Sequence, residues 1–185
     1  GALHLKKADW ERSRGNQEQA EKELDTALHW FQMYRNIDPV FPPNYFRMGQ
    51  VYMIRRQYDK AIEVYNGLLE ARECEVDPAL SARAGLRRNI LAYQELKDRG
   101  GVFNHKHDMV DEHLQLGNAY FMKGDLAGSE RAYKDALRLD PKNDFAMKNL
   151  QVVYARAKNE GKLKIVEITG AEGQKAPLLE VIQKK

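Results

Sequence analysis

From Gly49 to Gly117 is a step of 68 residues, and both glycines sit in the same surroundings. Met48 precedes Gly49, and Tyr52, Ala61 and Tyr65 follow it. Leu116 precedes Gly117, and Tyr120, Ser129 and Tyr133 follow at the same distances. The step is twice about 34 residues, the length of one kind of two-helix repeat. A chain in which such a unit recurs in phase cannot wrap around a single centre. Each unit is too small to bury its apolar side alone, so successive units must stack. This one pattern therefore predicts stacked helix pairs. Gly124-Asp125 reads as the end of one helix and the cap of the next.

The signature residues resemble the tetratricopeptide repeat (TPR). In segment 42–75 they are Tyr45, Met48, Gly49, Tyr52, Ala61 and Tyr65. In segment 110–143 they are Leu116, Gly117, Tyr120, Tyr133, Ala136 and Pro141, with Ser129 where Ala is usual. The resemblance implies an all-α fold, a right-handed superhelical solenoid of TPR helix–turn–helix repeats, ending here in a short non-repeat C-terminal tail. A weaker first repeat covers about 1–34. Gly15-Asn16 marks its turn, Ala8, Ala20 and Ala27 fit small positions, and Leu24 takes the aromatic slot, although Glu11 stands where a Tyr belongs. Its second helix runs on through Leu28 and Phe31, and about seven extra residues, including Asp38-Pro39 and Pro42-Pro43, precede the next repeat.

Segment 76–109 has the length of a repeat and few of its residues. Asp77-Pro78 predicts a cap followed by one long helix through Leu80, Ala84, Leu91 and Tyr93 to about Asp98. Gly100-Gly101 stops it, leaving 102–107 irregular or as a degenerate second helix. Asn143 is expected to cap a closing helix over 144–160, with Met147, Leu150 and Tyr154 facing inward. The TPR domain is thus expected over 1–162 and the tail over 163–185. In the tail, Leu163–Ile168 reads as a short extended stretch, 170–176 as a link, and Pro177–Ile182 as one or two apolar-faced helical turns. Docked, that tail could cover solenoid surface, block a binding groove or bridge two subunits.

Catalytic patterns do not stand out. The sequence holds no phosphate-cradling glycine loop, no Gly-x-Ser-x-Gly and no paired Cys-x-x-Cys, so no enzyme activity and no cofactor is expected. Cys74 is the only cysteine and reads as structural; it also favours a reducing compartment such as the cytoplasm, with a removed leader or anchor compatible with the Gly-Ala start. His105, His107 and His113, with Asp108 and Asp111 between, could meet around Zn²⁺. Asp108 as a helix cap and His113 as an inward-facing residue explain them without a metal, so no metal is expected. Trp10, Trp30, Phe31 and Tyr34 lie at spacings that a core explains. Thirty Lys and Arg against 27 Asp and Glu is too even for a nucleic-acid binder, and no stretch is apolar enough to span a membrane. Arg55 and Arg56, with Arg83, Arg87 and Arg88, form a basic cluster that reads as a solvated face, with an anionic ligand or peptide as the alternative.

The resemblance also implies where a ligand would lie. In TPR proteins the first helices line a concave groove. Carried onto this chain, the groove positions are Phe46, Arg47, Gln50, Met53 and Ile54 in the second repeat, and Leu80, Ser81, Arg87 and Arg88 in the degenerate one. Leu114, Asn118, Phe121 and Met122 follow in the next repeat, with Phe145, Lys148, Asn149 and Val152 on the closing helix. One TPR subtype grips an acidic chaperone tail through lysines and asparagines. Asn118 and Asn149 match its pattern, but Leu114 stands where it needs Lys. The expected function is therefore a non-enzymatic protein-interaction scaffold taking an apolar peptide or amphipathic helix of a partner. The alternative is self-association into a homo-oligomer through the groove, the solenoid ends or the tail.

Overall fold

A computed structural model describes residues 1–77, 84–99, 109–169 and 175–182. The described residues are overwhelmingly helical and fall into two compact units, Gly1–His107 and Asp108–Lys185.

The first unit holds α1 (Ala2–Ser13), α2 (Gln17–Ile37), α3 (Pro42–Ile54), α4 (Tyr58–Val76) and α5 (Ala84–Asp98). α1 packs on α2, α2 on α3 and α3 on α4. Leu5 and Ala8, Leu24 and Phe31, Tyr45 and Met48, and Val64 and Leu68 form one continuous core through these four helices. The turns inside the two pairs each need one left-handed residue, supplied by Gly15 at φ +81° and by Arg56 at φ +56°. At the second crossing α4 comes so near that a β-carbon on Gly49 would collide with the Tyr65 ring.

The extra residues after the first repeat are built into the fold. Tyr45 donates its hydroxyl to the Pro39 carbonyl at 2.6 Å, and Asn44 donates to the Phe31 carbonyl at 2.6 Å, which pins the connection against α2. Val40 then enters a second core with Ala71, Cys74, Ile90 and Tyr93. Cys74 is fully buried there. Because Val40 lies beneath it, α5 rests on α2 as well as on α4. Asp77 follows α4 in an extended conformation. Pro78, Leu80 and Ser81, and the expected second helix at 102–107, lie outside the described residues.

The second unit holds α6 (Val110–Lys123), α7 (Leu126–Leu139), α8 (Asp144–Asn159) and two strands, β1 (Leu163–Thr169) and β2 (Lys175–Val181). Gly124 turns left-handed at φ +88°, and the Asp125 carboxylate accepts the Gly128 amide at 2.9 Å, closing α6 and opening α7. Asn143 accepts the Ala146 amide at 2.9 Å and caps α8. At the start of α6 the cap position is Met109, left-handed at φ +62°, with no side-chain cap; Asp108, expected in that role, lies outside the described residues. Gly117 repeats the close crossing, its missing β-carbon 2.5 Å from the Tyr133 ring. Ser129 stands where Ala is usual, and its hydroxyl donates to the Gly117 carbonyl at 2.9 Å, so the extra oxygen is satisfied.

The tail departs from expectation. Lys175–Val181 is a strand, paired antiparallel with β1 from Leu163↔Val181 to Thr169↔Lys175, where helical turns were expected. A helix of six residues leaves most of its amides unmatched, whereas pairing with the β-branched run Ile165-Val166 satisfies both segments. A two-stranded hairpin is marginal in water by itself. This one is held by α7 and α8. Val181 is buried and Leu163 packs beside it, in a core with Ala136, Val153 and Ala157. The buried Glu130 carboxylate accepts the Val181 amide at 2.9 Å, the Tyr154 hydroxyl at 3.0 Å and Lys134 at 2.7 Å.

Candidate functional site

In the second unit the groove positions come from α6 and α8. Met122 is 53% exposed, and Phe145 and Val152 are each 50% exposed. On α8, Phe145, Asn149 and Val152 recur at helical spacing and so share one face. Arg156 ties that face to α6: its guanidinium lies 5.1 Å from the Phe121 ring centre and donates to the Phe121 carbonyl at 3.2 Å. Phe121 is consequently half-buried, and Met122 beside it carries the free apolar surface. Arg156 was missed in the sequence, although it holds on α8 the place that Met122 holds on α6.

The two asparagines are already engaged. Asn118 accepts the Tyr133 hydroxyl at 2.7 Å, and Asn149 donates to the Phe145 carbonyl at 2.8 Å. Burial pushes Tyr133 up to about 12, so its hydroxyl stays a donor. Leu114 is buried in the core of this unit and offers a ligand little surface, while Lys148 is exposed. Leu114, one helical turn before Asn118, is therefore a core residue where the chaperone-tail clamp has a lysine.

In the first unit, Arg47 and Gln50 are exposed on α3, and Met53 is half-buried. Phe46 and Ile54 pack partly into the core, with Phe46 6.4 Å from the Tyr65 ring. Arg87 and Arg88 are exposed on α5. Arg55 is committed elsewhere: it pairs with Glu21 at 2.7 Å and Asp25 at 2.8 Å, fastening the end of α3 to α2.

One other expectation changes. Of the four aromatics read as core, only Phe31 is buried; Trp10 and Trp30 are about half exposed, and Tyr34 is 40% exposed with its ring against Phe41. Helical spacing alone could not separate the core face of α2 from its neighbouring face. His105 and His107 lie outside the described residues. His113 is part-buried, 4.0 Å from the Asp135 carboxylate, and burial lowers its pKa, with Asp135 opposing and Arg138 adding to the shift. Among the described residues no three His, Cys, Asp or Glu side chains gather as a metal site.

Comparison with known proteins agrees with this architecture. The tetratricopeptide repeat family matches residues 42–73 and, in a second form, residues 110–143. Heat shock protein STI1 of Saccharomyces cerevisiae is 28% identical over 111 residues, which cover 60% of this chain and 19% of that protein. The chain thus spans about a fifth of the length of this relative. Two in-phase repeats, each with a glycine pressed against a tyrosine at the helix crossing, make the chain a tetratricopeptide-repeat protein.

Proposed function

We propose that this protein-interaction module holds an apolar peptide or amphipathic helix of a partner protein against α6 and α8 of its second unit, and that it does so without catalysis. The observation that carries the reading is the exposure of Phe145 and Val152 on one face of α8, with Asn149 between them, and of Met122 on α6. Large apolar side chains gathered on one face favour a covering partner, and methionine adapts to varied ligand shapes. The matched repeats and the likeness to part of a heat shock protein support an interaction role.

The test is photo-crosslinking in native extract from a reactive residue placed at Lys148. A double variant, Met122→Asp with Phe145→Asp, should abolish the crosslinked partner while circular dichroism shows unchanged helicity. Capture that persists in the folded double variant would overturn the reading. A second reading, self-association, is favoured by a different observation. Trp30, Met33, Tyr34 and Ile37 recur at helical spacing along α2 and are 40–55% exposed.

A further inference from the structure

The insertion between the first two repeats produces a feature that a regular repeat lacks. The left-handed turn residues Arg56 and Gly124 are separated by 68 positions, but Gly15 and Arg56 by 41, about seven more than one repeat. Those extra residues lengthen α2 and place Val40 under α5. α5 is thereby held against the end of α2, where Asn89 donates to the Asn36 side chain at 3.3 Å. Between α2, α4 and α5 lies a cleft of about 600 Å³, with Tyr45, Met48 and Tyr52 of α3 along its lining. Its size falls in the range of about 300–1,000 Å³ usual for ligand sites.

Three cations from three helices reach this cleft: Arg35 of α2, Lys60 of α4 and Arg88 of α5. Among the described residues Glu63 is the single carboxylate on the lining, so those residues give the cleft a net charge of two positives. Arg35 lies 6.0 Å from the Tyr45 ring centre and Lys60 5.7 Å from that of Tyr52, so two of the cations stand over aromatic rings. None of the three makes an ion pair among the described residues, in contrast to Arg55, whose charge is met by two carboxylates. Two of them stand on second helices, whereas the proposed groove is built from first helices.

We infer that this cleft is a second binding site, for an acidic peptide segment that carries an aromatic residue beside its carboxylates. The inference rests on the reading of the chain as a protein-interaction module and adds a partner chemistry to it. Carboxylates on the ligand would meet Arg35, Lys60 and Arg88, and a ring would pack beside Tyr52, the part-exposed tyrosine of the lining. The side-chain amide of Gln32, also on the lining, can bond a peptide backbone.

The probe is a short fluorescein-labelled peptide of Glu and Tyr, compared with its Gln-and-Tyr analogue by fluorescence anisotropy on the full chain. The Glu form should bind about tenfold tighter, a difference of about 1.4 kcal/mol. That preference should vanish in the Arg35→Gln/Lys60→Gln/Arg88→Gln variant and persist in Met122→Asp/Phe145→Asp. Arg88→Gln alone, at an exposed position, repeats the test should the triple variant lose helicity. Equal binding of the two peptides, no binding of either, an unchanged preference in the folded variants, or full displacement by equimolar inorganic phosphate would each overturn the inference. The outcomes are separable from the groove reading: loss of the crosslinked partner in Met122→Asp/Phe145→Asp tests the groove, whatever the Glu peptide does.

Discussion

A β-carbon at Gly49 has no place to go, because the Tyr65 ring already occupies it. The first repeat shows the same crossing with the sizes exchanged: Ala8 and Leu24 are both fully buried, a methyl group having entered where the ring is absent. Gly49→Ala should therefore cost about 1–3 kcal/mol in urea denaturation through overpacking. Adding Tyr65→Leu should restore part of that loss, as the Ala8–Leu24 pair implies. Arg56 offers the opposite case. It holds the left-handed turn conformation that Gly15 and Gly124 hold at the equivalent sites, and a side chain is strained there. Arg56→Gly should stabilise by about 0.5–1 kcal/mol in the same measurement, the relief of strain exceeding the entropy that glycine loses. His113 adds a pH dependence. Burial lowers its folded-state pKa below the ordinary 6.5, so the unfolded chain takes up the proton first. Its contribution to stability is thus fully present above about 6.5 and is lost as the pH falls from there through the folded pKa. His113→Phe should flatten that part of the stability–pH curve.

At the scale of elements, the hairpin is held by a small number of interactions. Removing the Glu130 carboxylate takes a charged acceptor from Val181, Tyr154 and Lys134 at once. Glu130→Ala should cost about 1.5–3 kcal/mol, since hydrogen bonds to charged groups carry about that much. Deleting 163–185 should lower the melting temperature further by uncovering the core around Val153 and Ala157. It should leave partner capture unchanged, because Phe145 and Val152 are exposed with the hairpin in place. A rise in peptide affinity on deletion would instead show a tail that blocks the groove. The helix pairs were legible in the sequence because their determinants are local: a glycine, a tyrosine sixteen residues on, and a turn residue between. The strand at 175–181 was not, since an apolar run such as Leu178-Leu179 fits either period until its partner is known. The lean of α5 onto α2 was likewise hidden, because it depends on where Val40 is buried and not on any motif in α5.

For the whole molecule, the balance of covered and uncovered apolar surface sets its behaviour. Among the described residues no helix is long and apolar enough to cross a membrane. Yet Trp30, Met33, Tyr34 and Ile37 make a large exposed stripe on α2, in which Trp30 and Tyr34 were expected in the core. Should it join two copies, light scattering will give a mass above 21.4 kDa that rises with concentration, and Met33→Glu with Ile37→Glu will return it to the monomer value. A mass of 21.4 kDa at every concentration would remove that reading. The docked hairpin has a further meaning for anyone who would rebuild this protein. Repeat arrays are lengthened by splicing in one more helix pair, and the splice needs an open flank on the last helix. Here Val181 and Leu163 already occupy a flank of α8, and Glu130 is already engaged by the strand's Val181 amide, by Tyr154 and by Lys134. New repeats would have to be inserted upstream of α8, with the hairpin carried along as a portable end-piece. Grafted onto another array, it would need only a glutamate, a lysine and a tyrosine in the places of Glu130, Lys134 and Tyr154, and an apolar seat for Val181.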